Sequence, residues 1–138
     1  MPTVRDVMTS EPVTMDVNTV IVAVAKQMRD EAIGDVIVTE GDRICGIVTD
    51  RDITVRAVAA DADTRATTIG DVVTRNPVTV APDDDIKAAE GLMRTHAVKR
   101  LPVLDGDRIV GVVALGDIEV EEAPDSLEAS IAAEDPNN

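Results

Sequence analysis

Phenylalanine, tyrosine and tryptophan are absent from these 138 residues, cysteine and histidine occur once each, and only three lysines stand against ten arginines. Without an aromatic ring, a base has nothing to stack on and would have to lie between aliphatic side chains and bond to backbone edges. Cys45 alone makes no internal disulfide, which fits a reducing compartment, and it reads as a small buried strand residue. His96 has no second histidine or neighbouring cysteine to complete a zinc site, and no Ser-His-Asp set is available from one histidine. No glycine-rich phosphate loop occurs. The longest apolar run is the six residues "VIVAVA" at 20–25, too short to span a bilayer, and the start "MPTVRDVMTS" lacks the basic and apolar blocks of a signal peptide. The expectation is a soluble, cytoplasmic protein with no membrane partner.

Positive charge is also scarce. A net charge of -14 and a pI near 4.2 argue against nucleic acid, whose phosphates require a basic surface. An acidic, lysine-poor surface suits a halophilic cytoplasm, where dense carboxylates keep a chain in solution. Seven of the negative charges (Glu119, Glu121, Glu122, Asp125, Glu128, Glu134 and Asp135) fall in the last twenty residues with no base among them. An acidic tail over 121–138, partly disordered, is expected.

What the chain does contain is a repeat. "GIVTDRDI" at 46–53 returns sixty-five positions later as "GVVALGDI", and about twenty of the fifty ungapped pairs between 4–53 and 69–118 are identical. Each copy opens on a proline-led extended phrase, "EPVTM" or "NPVTV". A helix follows. Asn18 or Thr19 is the expected cap in the first copy, before Ile21, Val24, Ala25 and Met28. Asp83, Asp84 and Asp85 precede Ile86, Ala89, Leu92 and Met93 in the second, and oppose the helix dipole there rather than holding Mg²⁺. Two short strands then turn at Gly41-Asp42 or Gly106-Asp107, and a second helix begins, with Ile53, Ala57 and Ala60 expected near one face. The predicted unit is strand, helix, strand, strand, helix, an α+β fold in which two copies pack with pseudo-twofold symmetry. The expected boundaries are repeat 1 over 1–61, a linker over 62–68 and repeat 2 over 69–120.

The repeated aspartate admits two roles. Thr49 and Asp52 have the spacing of a helix capping box, worth about 0.5–2 kcal/mol. The same carboxylate can accept hydrogen bonds from two vicinal hydroxyls of a ribose, with the Thr49 hydroxyl suited to a phosphate. In the second copy Ala114 has lost the cap while Asp117 persists, which favours the ribose role. Arg51 reads either as a phosphate contact or as a solvated helix-start arginine. Lys99 and Arg100 precede a strand in a chain poor in lysine, and read as phosphate contacts or as surface charges balancing nearby aspartates.

The "DVMTSEPVTM" opening, the "RLPVLDGDRIVGVV" hairpin and the Gly46-x-x-Thr49-x-x-Asp52 ending, in duplicate and in order, resemble the cystathionine beta-synthase (CBS) domain pair over about 115 of the 138 residues. The resemblance implies a two-repeat disc with two clefts between the repeats, commonly paired with a second disc as a homodimer. It also implies an adenosyl ligand (AMP, ATP or S-adenosylmethionine) acting as a regulator rather than a catalytic cofactor. On that resemblance Asp52 and Asp117 match ribose-binding aspartates, and Thr49 matches the hydroxyl near ribose or phosphate. Val98, Lys99 and Arg100 match phosphate-contacting and adenine-facing positions, with Ile33, Gly34 and Asp35 as their first-copy counterparts. Asp35 would repel a phosphate where Arg100 attracts one. Val78 and Val98 would flank the adenine. The implied function is a regulatory module that signals to a separate protein and performs no chemistry; the alternative is a ligand-free dimerisation or scaffold module.

The charge balance generates a first prediction. Fourteen excess negatives repel one another, and salt screens them over about 8–10 Å near physiological ionic strength. The melting temperature should climb between low and molar KCl; a flat or falling trend would remove the halophilic reading.

Overall fold

A computed structural model describes residues 1–122. In chain order its elements are α1 (Val4–Val7), β1 (Thr9–Ser10), β2 (Thr14–Asp16), α2 (Ile21–Glu31), β3 (Asp35–Glu40), β4 (Arg43–Thr49), α3 (Asp50–Ile53), β5 (Thr74–Arg75), α4 (Ile86–His96), β6 (Arg100–Asp105), β7 (Arg108–Ala114) and α5 (Leu115–Glu122). A wide π turn, Thr54–Val58, follows α3, and a 3-10 turn covers Ile69–Asp71. The α+β class is as expected. Beyond Glu122 the acidic tail lies outside the described residues.

The described residues form two compact units, Val13–Pro77 and the pairing of Met1–Pro12 with residues 78–122. In the first, strands run in the order β2-β3-β4-β5, with β2 parallel to β3 and the other pairs antiparallel. In the second the order is β1-β7-β6, both pairs antiparallel. The Gly-Asp turns fall where expected: Gly41 and Gly106 take φ of 65° and 62°, which their missing Cβ permits. Glu40 pairs with Arg43 and Asp105 with Arg108 across them.

Each repeat lends its opening segment to the unit built on the other. Val4, fully buried, packs with Ile86, Leu101 and Ile118, and its N–H donates to the Asp84 carbonyl at 2.8 Å. Ile69 and Val72 pack with Val24, Val36 and Val48, and the Ile69 N–H reaches the Thr19 carbonyl at 2.8 Å. Left-handed Glu11 and Asn76 (φ 51° and 52°) turn the chain just before Pro12 and Pro77, where it passes from one unit to the other. Gly46 and Gly111 are the glycines of the repeated phrase. A Cβ on Gly46 would strike the Thr74 carbonyl of β5, and one on Gly111 would sit 2.8 Å from the Thr9 carbonyl of β1.

Three local expectations are corrected. Helix α2 is capped by Val20, not by Asn18 or Thr19, and no side chain caps it. Its first amides are satisfied instead by backbone, Ile21 N–H to the Thr67 carbonyl and Val22 N–H to the Thr64 carbonyl, both at 2.9 Å. Asp85 does cap α4, accepting the Lys87 N–H at 2.8 Å. Ala60 is exposed rather than on the inner face beside Ile53 and Ala57, because bonds from Ala59 to Thr54 and from Ala62 to Ala57 widen the turn by one residue. The phrase "NPVTV" forms no strand beyond a single parallel bridge, Val80 to Val103. Pro102 stands where the first copy has Ile37, whose N–H donates to the Val13 carbonyl at 3.0 Å; proline has no such donor.

Ile69 is fully buried in a core built mainly from the other repeat. Ile69→Ala should therefore destabilise the protein by about 2–5 kcal/mol in urea unfolding, as a core truncation does. A cost near zero would show that the segment does not complete that core.

Candidate functional site

The ten sequence-predicted site residues fall into two sets, one in each compact unit. Ile33, Gly34, Thr49, Arg51 and Asp52 lie in Val13–Pro77, and Val78, Val98, Lys99, Arg100 and Asp117 lie in the other. Each set gathers where a hairpin meets a helix start. Asp35 opposes Thr49 and Arg100 opposes Ala114 at the ends of the hairpin strands. The first amide of α3, at Asp50, donates to the Gly34 carbonyl at 3.0 Å, and that of α5, at Leu115, to the Lys99 carbonyl at 2.8 Å. Left-handed Ala32 and Ala97, both at φ 54°, end α2 and α4 and swing the chain into these strands.

In the first unit the capping box closes. Thr49 Oγ1 accepts the Asp52 N–H at 3.1 Å, and Asp52 Oδ2 accepts the Thr49 N–H at 2.9 Å. The Thr49 hydroxyl keeps its own proton for donation, and Asp52 Oδ1 accepts no hydrogen bond among the described residues. Oδ1 instead faces Arg56, whose Nη2 stands 3.7 Å away. Arg56 was not singled out from the sequence, although its i,i+4 spacing from Asp52 was legible. The Arg51 side chain is exposed and forms no hydrogen bond or ion pair among the described residues.

In the second unit half of the box persists. Ala114 offers no hydroxyl, yet Asp117 still takes the Ala114 backbone N–H. The repeated aspartate thus has a structural duty in both copies. Burial pushes the Asp117 carboxyl above the usual carboxylate range, against the Ala114 N–H and the positive charge of Arg100, which pull it down. Val98 is exposed, with its N–H held by the Met93 carbonyl at 3.0 Å, and Lys99 is exposed beside it. Val78 is half-buried against the core of its unit. Because Pro102 has no N–H, the Val78 carbonyl lacks the donor that Ile37 supplies to Val13, and it accepts no backbone hydrogen bond of that kind among the described residues.

A raised carboxyl holds its proton more tightly in the folded state. Its contribution is fully present below the ordinary value of 3.8 and is lost as pH rises through the raised value. Asp117→Asn, which keeps an acceptor for the Ala114 N–H, should melt above wild type at pH 7, with the difference shrinking as pH falls toward 3.8. A variant that melts below wild type at pH 7 would mean that Arg100 outweighs burial.

The model of the CBS domain matches residues 4–58 and again 69–119. The CBS domain-containing protein YhcV of Bacillus subtilis (strain 168) is 34% identical over 122 residues, covering 88% of this chain and 86% of that protein. The crystal structure of Hypoxic Response Protein I with two coordinated zinc ions superimposes with a TM-score of 0.77 at 31% identity, over 85% of this chain and 96% of that one. The CBS domain pair of protein MJ0100, in complex with 5'-methylthioadenosine and S-adenosyl-L-methionine, gives a TM-score of 0.80 at 26% identity, over 91% of this chain and 99% of that one. Among the described residues no group of three or more His, Cys, Asp and Glu could hold a metal ion. No helix among them is long and apolar enough to cross a membrane. With the domain matched twice and a relative at 34% identity along nearly its whole length, this chain belongs to the CBS domain family.

Proposed function

We propose that this protein is a regulatory module that binds an adenosyl ligand, AMP, ATP or S-adenosylmethionine, and passes its occupancy to a separate protein without chemistry of its own. The single observation that carries the reading is the half-used Asp52 carboxylate. Oδ2 is committed to the helix start while Oδ1, 3.7 Å from Arg56 Nη2, accepts no hydrogen bond among the described residues, beside a Thr49 hydroxyl with a proton to donate and an Arg51 side chain that has no hydrogen bond or ion pair among them. A ribose diol needs such an acceptor, and a phosphate needs such donors. The relative MJ0100 carries two adenosyl compounds in its CBS pair, which supports the ligand class.

In the other unit the Val78 carbonyl suits an adenine amino group, and exposed Val98 suits its apolar face. Lys99 and Arg100 supply positive charge for a phosphate, while Asp117 is the ribose acceptor, costly to keep charged and without a hydroxyl neighbour at Ala114. Asp52 is therefore the stronger of the two carboxylate sites. The module acts as a homodimer. Exposed Val55 and Val58 are apolar surface that a second copy would cover. A pure monomer in sedimentation at micromolar concentration would remove the dimer.

A second reading, a ligand-free scaffold, is favoured by the closed capping box, because Thr49 and Asp52 already satisfy one another. Calorimetric titration with AMP, ATP and S-adenosylmethionine separates the two. Asp52→Ala should weaken binding by about ten- to a hundredfold, the worth of a charged hydrogen bond. Asp117→Ala should weaken it less. Equal losses would refute the asymmetry, and the absence of binding to wild type would leave the scaffold.

A further inference from the structure

The guanidinium of Arg56 touches three things at once. Its Nη2 stands 3.7 Å from Asp52 Oδ1, and its Nη1 donates to the Val72 carbonyl at 2.9 Å and to Thr74 Oγ1 at 3.0 Å. Thr74 is in β5, an edge strand joined to β4 by only two residue pairs, Gly46 with Arg75 and Ile47 with Thr74. Two residues after Arg75 the chain leaves this unit at Pro77. Arg56 itself sits in the π turn Thr54–Val58. Such wide turns cost backbone geometry and tend to be kept where they aim a side chain. The second copy has none of this: α5 continues as a regular helix, and Glu121 stands at the position matching Arg56.

We propose that Arg56 is a positioning residue that couples the Asp52 carboxylate to strand β5, so that charge or ligand at Asp52 sets how firmly β5 is held. The ligand part of this proposal rests on the reading of Asp52 as a ribose acceptor; the coupling does not. A guanidinium is planar and rigid, so its two nitrogens cannot respond separately. When Oδ1 is neutralised or takes another donor, Nη2 loses or shifts its charge partner, and Nη1 moves with it against Val72 and Thr74. Asp52 side-chain exposure is 18% against 47% for Arg56, so the carboxylate end is the better shielded and the pair is not a freely solvated surface contact. The structure holds β5 docked on β4; a transmitted signal would require a second arrangement in which β5 is released, and the pairing of only two residues makes that release the change to test.

The test is hydrogen exchange at the amides of Val73, Thr74 and Arg75 in the full chain without ligand, for wild type, Asp52→Asn, Arg56→Gln and the double variant. Each single change should speed exchange on the order of two- to tenfold, and the double variant should be no faster than Arg56→Gln alone. Amides of β6 and β7 should not respond. Additive effects, or none from Asp52→Asn, would overturn the coupling. Arg56→Lys, which keeps the charge but loses the fork, guards against a folding artefact: it should retain wild-type melting and lose the Asp52 dependence, whereas a full response to Asp52→Asn in that background would overturn the role of the fork. With S-adenosylmethionine or AMP added, wild-type exchange at the same amides should shift, and Arg56→Gln should bind without the shift. If neither compound binds wild type, the ribose reading fails while the ligand-free cycle still decides the coupling.

Discussion

The carboxylate three residues past the end of each hairpin accepts the backbone N–H at that end, and this bond fixes where strand becomes helix in both copies. The constraint is tighter than a cap alone. The first helix amide must also reach back to the residue before the hairpin, Gly34 or Lys99, so the strand start, the strand end and the helix start converge on one point. Gly46 and Gly111 extend it outward, because only a residue without Cβ lets β5 or β1 lie against the second hairpin strand. Any ligand-contacting role for the two aspartates is therefore built on a structural one, and the oxygen left over is what matters. Asp52 leaves Oδ1 facing a guanidinium; Asp117 leaves a carboxyl whose burial works against its charge.

The exchange of opening segments ties each core to both copies of the repeat. Val4 completes one core and Ile69, Val72 and Val73 complete the other, each arriving from the neighbouring copy in sequence. Such added burial counts most in small units, which bury a smaller share of their chain's surface than large ones. The exchange also gives the short strand β5 its importance. It is the last structured piece of its unit before the chain crosses to the other, and Arg56 holds it from below while pairing with the Asp52 carboxylate.

Much of this was legible in the residues. The Gly-Asp turns, the Asp85 cap and the hairpin strands follow from local chemistry, and the capping-box spacing of Thr49 and Asp52 is realised atom for atom. What escaped depends on partners distant in sequence. Asn18 and Thr19 look like caps, but Thr64 and Thr67 carbonyls reach the α2 amides first. The phrase "NPVTV" shares its central Pro-Val-Thr with "EPVTM", yet its partner Pro102 cannot donate. Ala60 missed the inner face because the turn before it is π rather than α, and no residue pattern announces that turn. Arg56 was visible as an i,i+4 partner of Asp52, but its bonds to Val72 and Thr74 span sixteen and eighteen residues and needed the fold.

The proposed sensing role makes Asp52 the better of two carboxylate sites, and it needs a ligand that prefers one conformation over another. The central claim is that an adenosyl compound occupies the protein. Native mass spectrometry of the protein as purified, followed by identification of the small molecules released on denaturation, tests it most directly. The account predicts an adenine-containing ligand that departs in the Asp52→Ala variant; protein that carries none, and that shows no melting shift with AMP, ATP or S-adenosylmethionine, would contradict it.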